Sequence, residues 1–162
     1  MKTKNSIHKK HLAISLLIIT GFLCTACGTQ VVRGAAPLVR MTELSHQDNN
    51  INLQLNMRNL NGVDLEIQSI DFKLTVNDTE DDLFVYNGPV DTNIAANGTE
   101  TWAVEVIESS ASRELLESLE NGEIKSLPYA LKGSIISADD GKLRFEYEGH
   151  IYPLPGKPGY FR

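Results

Sequence analysis

Two thiols offer the most reactive chemistry in the chain. Cys24 and Cys27 are its only cysteines, spaced C-x-x-C. That spacing suits a redox pair or half of a zinc site. A redox pair needs a folded domain around it, and zinc needs two more ligands. Neither is at hand here, because the pair ends an apolar run. The other reactive groups are dispersed. Asp78, Glu80, Asp81 and Asp82 crowd one turn, where hard oxygen ligands suit calcium, but the spacing does not fit an EF-hand loop. A solvated acidic hairpin is the simpler account, and Asp139-Asp140-Gly141 reads the same way. His46 falls in a turn and His150 on the polar side of a strand, both read as surface residues outside any HExxH or compact metal spacing. Glu146 and Glu148 project from one strand face, as a glycosidase pair would, but without an evident cleft they read as a charged solvent face. Trp102, Tyr129, Phe145 and Tyr147 could line a groove; at strand period they read as core. No G-x-S-x-G, GxGxxG or P-loop occurs. The sequence therefore gives no catalytic residue, cofactor site or metal site, and the expectation is a protein that is not an enzyme.

The element that positions Cys27 is the segment before it. Lys2, Lys4, Lys9 and Lys10 precede the apolar run Leu12–Leu23, the layout of a secretory signal. A helix spanning a hydrocarbon core takes about 20 residues, so the run is short for a membrane anchor. Leu23-Cys24-Thr25-Ala26-Cys27 looks like a bacterial lipobox, with Cys24 where an aliphatic residue is usual. The resemblance implies that Cys27 is the lipidation site, acylated on its thiol and left as the new N-terminus. Two or more acyl chains anchor stably, each buried methylene contributing about 0.8 kcal/mol. Gly28 follows Cys27, which in many Gram-negative lipoproteins goes with transport to the outer membrane. The expected divisions are a signal peptide at 1–26, a tether at 27–36, a folded domain at 37–154 and an extended tail at 155–162. The expected location is the cell envelope, lipid-anchored at the outer membrane and facing the periplasm.

Charge narrows the partners. The whole chain carries a net charge of −6 from 15 basic and 21 acidic residues. Removing residues 1–26 takes four lysines and no acid, leaving 11 basic residues against 21 acidic, a net charge of −10. This excess argues against nucleic acid, which selects clustered Lys and Arg. It equally argues against charge-driven binding to an anionic membrane, so contact with the membrane falls to the lipid on Cys27. With one cysteine left and that one acylated, no disulfide framework is available. A domain of about 136 residues must hold by burial alone, which its size permits.

Hydrophobic periodicity supplies that burial. From Leu38 onward the repeat is two, the strand period. Leu38–Leu44 is a first strand and HQDNN a turn. Asn50–Arg58 alternates most cleanly: Ile51, Leu53, Leu55 and Met57 on one side, Asn52, Gln54, Asn56 and Arg58 on the other. That is a half-buried strand with an amide-rich wet face. Asn59–Gly62 is a turn marked by Asn-Gly. Asp64–Asn77 is a second strand whose phase slips near Gln68-Ser69, predicting a bulge or bend. Leu83–Tyr86 is a short strand ended by Asn87-Gly88-Pro89, with Val90–Ala96 irregular. Thr99–Glu108 puts Trp102, Val104 and Val106 on one face. Ser110–Asn121 is the one helix, with Ala111, Leu115, Leu116 and Leu119 on a stripe, Gly122 as C-cap and Ser109, Ser110 or Ser112 as N-cap. Leu127–Ser137 and Leu143–Ile151 are joined by a hairpin at Asp139–Lys142. About seven strands with a helix before the last two predict an all-β, immunoglobulin/fibronectin-III-like antiparallel sandwich.

These patterns also resemble a family. Ile51–Asn61, the strand Asp64–Asn77, Gly98-Thr99 before Trp102–Val106, and Leu127–Gly133 resemble the late-embryogenesis-abundant (LEA) type 2 family. Its module is also called the water stress and hypersensitive response (WHy) domain, and the chain resembles in particular the small bacterial lipoproteins that carry it. Leu60 stands where that family has proline between two asparagines. The resemblance covers about Leu38–Leu154. It implies a fibronectin-like sandwich, association with desiccation and other stress, and no catalytic residues. The expected function is thus a lipid-anchored envelope module that binds or shields envelope components under stress. The alternative is an adaptor subunit with an envelope protein partner.

Overall fold

The computed structural model describes residues 31–47, 49–76 and 82–162. Cys24, Cys27 and the rest of the expected signal, with Asp78, Glu80 and Asp81 of the acidic turn, lie outside the described residues. Residues 31–162 form one compact unit.

Eight strands are described: β1 (Leu38–Gln47), β2 (Asn50–Arg58), β3 (Leu65–Val76), β4 (Asp82–Ile94), β5 (Thr99–Ile107), β6 (Leu127–Ser137), β7 (Gly141–Ile151) and β8 (Tyr160–Phe161). One helix, α1 (Ser110–Glu120), connects β5 to β6. The strands form two four-stranded sheets, ordered β5-β2-β1-β8 and β4-β3-β6-β7, with every pairing antiparallel. This is an all-β sandwich, as the period-two pattern predicts. The helix precedes three strands, not two, because the C-terminal segment adds β8.

The alternation in β2 is the clearest link from sequence to core. Ile51, Leu53, Leu55 and Met57 are all fully buried, while their neighbours face outward. The opposite sheet contributes Ile70, Phe72, Leu74, Leu131, Ile135 and their in-phase companions. A bulge in the β3–β4 ladder falls between Ile67 and Ser69, at the phase slip seen in the sequence. Two β4 residues, Val90 and Asp91, there oppose the single Gln68, and Asp91 takes a φ of 45°. That bulge corrects the reading of β4. Leu83–Tyr86 and Val90–Ala96 are not a short strand and an irregular segment but one 13-residue strand. Pro89 is tolerated because β4 is an edge strand, where a missing N–H costs no ladder bond.

The open sides of the sandwich are closed by side chains. On one side Tyr86 of β4 meets Trp102 of β5 edge-on, with centroids 5.1 Å apart. On the other, the Arg40 guanidinium of β1 lies 5.3 Å from the Tyr147 ring of β7. Strand glycines meet aromatic neighbours. Gly133 pairs with Phe72 on one side and Phe145 on the other, and Gly149 pairs with Tyr129.

Helix α1 begins at Ser109, whose Oγ accepts the Ser112 N–H at 3.1 Å. It ends in a Schellman pattern: Gly122 (φ 77°) and Glu123 donate to Leu119 O and Ser118 O. The buried stripe is Ser112, Leu116 and Leu119, and Ala111 is exposed. The stripe is rotated from the expected one because Ser112 is used as an anchor, its Oγ donating to Leu83 O at 3.3 Å.

The C-terminal residues 155–162 are not an extended tail. Tyr152 and Arg162 exchange backbone hydrogen bonds of 2.9 and 3.0 Å, and Leu154 N–H reaches Tyr160 O at 2.8 Å. The chain turns back through Gly156 and Gly159, both at positive φ, and seats Phe161 fully buried opposite Leu44.

Candidate functional site

The strand registers define two poles. At one lie residues 31–36, the β2–β3 connection, the β4–β5 turn and the β6–β7 hairpin. At the other lie the β1–β2 turn, α1 and the C-terminal turn. Polar side chains organise both.

At the first pole, Asn59 and Asn61 are fully buried. The Asn59 amide nitrogen lies within 3.1 Å of the carbonyls of Val63, Ile94 and Ala95, and its oxygen accepts the Asn61 N–H at 2.8 Å. Asn61 pairs with the backbone of Ala35 in both directions, at 2.8 and 2.9 Å. The expected turn at Asn59–Gly62 carries the chain from one sheet to the other, made rigid by two amides. Local pattern places these asparagines in a turn without showing their burial; the Asn-x-Asn spacing is the available signal.

At the second pole His46 is not a lone surface residue. Its ring nitrogens lie 3.4 Å from Glu108 Oε1 and 3.4 Å from Glu120 Oε2, and its side chain is 16% exposed. Glu108, only 2% exposed, is held at 2.9 Å by Arg113 Nε, and Arg113 also donates to Asn49 Oδ1. Glu120 in turn accepts the Gly159 N–H at 3.2 Å, and the His46 N–H donates to Gly159 O at 2.9 Å. This cluster ties β1, α1 and the C-terminal turn together. Residues so far apart along the chain share no local pattern that would join them.

The remaining candidates are separate. Asp82 pairs with Lys73 at 2.9 Å, and this hydrogen bond, more than its charge, raises the Lys73 pKa. Asp140 sits in the expected hairpin, its N–H donating to Ser137 Oγ at 3.3 Å, with Gly141 at φ 70°. Glu146 pairs with Lys132 at 2.6 Å on the exposed face, and Glu148 is likewise exposed. His150 is exposed and stacks near Tyr152, 6.2 Å between centroids. Tyr129 and Phe145 are in the core; Trp102 and Tyr147 are half-buried against it. Burial, then the nearby Tyr147, pushes the Tyr129 phenol up to about 12, against the opposing Arg40 charge.

A polar concavity lies on the outer face of the β5-β2-β1-β8 sheet, lined by residues of β1, β2, β5 and β8. Its volume is about 310 Å³. One cross-strand row runs the full width of that sheet: Tyr160, Ser45, Asn52, Glu105. The flanking rows place Gln47 beside Asn50, and Glu43 beside Gln54. The wet face of β2 was legible; its partners from β1, β5 and β8 were not, because register is a long-range property.

The sequence matches no family model and no curated protein. Among solved structures, the chain is similar to the solution structure of an Arabidopsis thaliana protein, with a TM-score of 0.53, 12% identity and coverage of 83% of this chain and 91% of that one. The fold is shared with that protein. Lower TM-scores are found for a protein from Archaeoglobus fulgidus (0.45, 15% identity, 77% and 98% covered) and for one described provisionally as a late embryogenesis abundant protein (0.45, 14% identity, 96% and 91% covered).

Proposed function

We propose that this chain is a non-enzymatic, lipid-anchored envelope protein, held at the outer membrane through Cys27 and protecting or binding envelope components under desiccation or related stress. The observation that carries the reading is the sequence Leu23–Cys27 directly before a β-sandwich whose outer sheet face is rich in amides. Supporting it is the resemblance of the strand motifs to the LEA type 2/WHy family. The described domain starts close to the proposed acyl cysteine: Cys27 to Val31 is four residues, a reach of about 14 Å at most. Residues 32–35 are fastened to the first pole by Val32 O, which accepts Gly62 N–H at 3.0 Å, and by Ala35 with Asn61. Mass spectrometry of the mature N-terminus tests the anchor: an acylated Cys27 is expected, and a retained N-terminal segment would refute it. Drying a labile test enzyme with and without the protein tests the protective role, and equal loss of activity in both samples would refute that.

The second reading is an adaptor subunit. It draws on the edge strand β5, which ends in Ile107 at 86% exposure and is open to strand addition. One dominant partner on membrane crosslinking, lost on Ile107→Lys, is the expected outcome.

A further inference from the structure

We propose that the outer face of the β5-β2-β1-β8 sheet is a binding groove for a neutral, hydroxyl-rich sugar chain. This gives the binding half of the reading above a ligand class, and rests on that reading only for the ligand's place in the envelope.

The groove's shape follows from its cross-strand row. Ser45 and Asn52 are short and make the floor; Tyr160 and Glu105 stand at the two ends. The ends are set by their neighbours. Gln47 Nε2 donates to Tyr160 Oη at 3.0 Å, and Asn50 Nδ2 donates to Glu105 Oε1. By contrast, the side chains of Ser45, Asn52 and Gln54 make no hydrogen bond to the protein among the described residues. They are presented outward with their donors and acceptors unused. Successive outward residues on β2 are about 7 Å apart and neighbouring strands about 4.8 Å. The surface is therefore a grid of polar groups wide enough for a short stretch of chain.

The chemistry of the lining selects the ligand. An amide offers donors and an acceptor together, as a hydroxyl does, so amides match a polyol whichever way each hydroxyl turns. Glu43 and Glu105 accept from hydroxyls and repel phosphates, sulfates and nucleic acids. The cation beside Glu43, Lys157, is already engaged, 3.7 Å from that carboxylate and 3.5 Å from the centre of the Tyr160 ring. Ile107, beside Asn50 in the adjoining row, and the Tyr160 ring supply apolar surface for the C–H faces of sugar rings. An open, wet groove without a closed apolar pocket suits a weakly held extended chain better than a buried small molecule.

The test is calorimetric titration of the full chain, in a detergent without sugar headgroups, against soluble probes. These are a β-glucan hexasaccharide, a hexasaccharide of N-acetylated amino sugar, trehalose and a sugar phosphate. At least one neutral hexasaccharide should bind, and which one does separates a glucan source from an amino-sugar polymer such as the wall provides. The sugar phosphate should bind at least 10-fold more weakly. The double substitution Asn52→Ala with Gln54→Ala should weaken binding at least 10-fold, and Ser45→Trp, which fills the floor, should abolish it, both with unchanged circular dichroism. Absence of binding across both hexasaccharides, or equal affinity in the double variant, would overturn the proposal. Neither result bears on acylation of Cys27 or on survival through drying, so the two readings fail separately.

Discussion

Asn61 donates its side-chain amide to the side-chain oxygen of Asn59 at 3.0 Å, and both residues are fully shielded from solvent. Two buried amides in a crossover replace the backbone pairing that a hairpin would have supplied. Asn59 in particular serves carbonyls from both the β2–β3 connection and the end of β4.

Asn59→Ala is therefore expected to cost about 2–4 kcal/mol, since it leaves buried carbonyls and the Asn61 N–H unsatisfied. Asn59→Asp should be worse, because it turns an acceptor toward the carbonyls. Asn61→Ala should cost less, about 1–2 kcal/mol, and free the Ala35 amide to exchange. Urea denaturation and hydrogen exchange report the two effects. Equal stability of Asn59→Ala and the parent would contradict the network.

Gly133 is expected to refuse a side chain. A Cβ there would overlap Asp71 O, and would lie 2.6 Å from Phe72 Cβ and 2.8 Å from Phe145 Cζ. The first two belong to the neighbouring strand's backbone and its first side-chain atom, so they cannot swing away. Gly133→Ala should destabilise by about 3 kcal/mol or more, at the upper end for overpacking. Gly149→Ala meets the Tyr129 ring at 2.8 Å instead, and a ring end can shift, so a loss of about 1–2 kcal/mol is expected. Thermal denaturation of the two variants ranks them, and the reverse order would show that the rows are packed differently.

Stability should fall at high pH through Tyr129. Its phenol is pushed up from 10.0 to about 12 in the folded chain, first by burial and then by Tyr147. A raised folded-state value means that the native state keeps its proton when the unfolded chain has lost it. The contribution is fully present below about pH 10 and is lost as pH rises toward about 12. Its size is at most about 2 kcal/mol once solvent screening is allowed for. Tyr129→Phe should flatten that part of the pH–stability curve, measured by urea midpoints at stepped pH. An unchanged slope in the variant would remove Tyr129 as the cause.

What the sequence made legible is what period two can carry. The limits of β2 and β6, the buried set Ile51–Met57 and the bulge near Ser69 all follow from local alternation. What escaped it depends on distant partners. In β1 a ladder irregularity between Met41 and Glu43 shifts the inward phase from Val39 and Met41 to Leu44, and pairing with β2 carries the strand on to Gln47. β4 looked broken because Gly88-Pro89 signals a stop, and only its edge position makes that pair harmless. The polar row Tyr160–Ser45–Asn52–Glu105 draws on four strands, and no local pattern sets their register. His46 looked like a surface histidine because Glu108 and Glu120 are more than 60 residues away along the chain.

The C-terminal turn provides the last test, because it joins the outer groove to the core. Phe161 is buried opposite Leu44, while its neighbour Tyr160 faces outward opposite Ser45. The turn is held from behind by Gly159, which exchanges contacts with His46 and Glu120. Phe161→Ala should remove the anchoring ring and cost about 3–5 kcal/mol, a large share of the 5–15 kcal/mol typical of a domain. Glu120→Gln keeps an acceptor for Gly159 but loses its charge toward His46, and should cost under about 1 kcal/mol at this partly exposed position. If the groove depends on Tyr160 as its end wall, Phe161→Ala should also weaken sugar binding under conditions where the rest of the sandwich remains folded. Denaturation midpoints, with the amide spectrum of β1 and β2 as a check on the remaining fold, separate the two effects. A Phe161→Ala protein with full stability would mean that the last residues are not packed as part of the sheet.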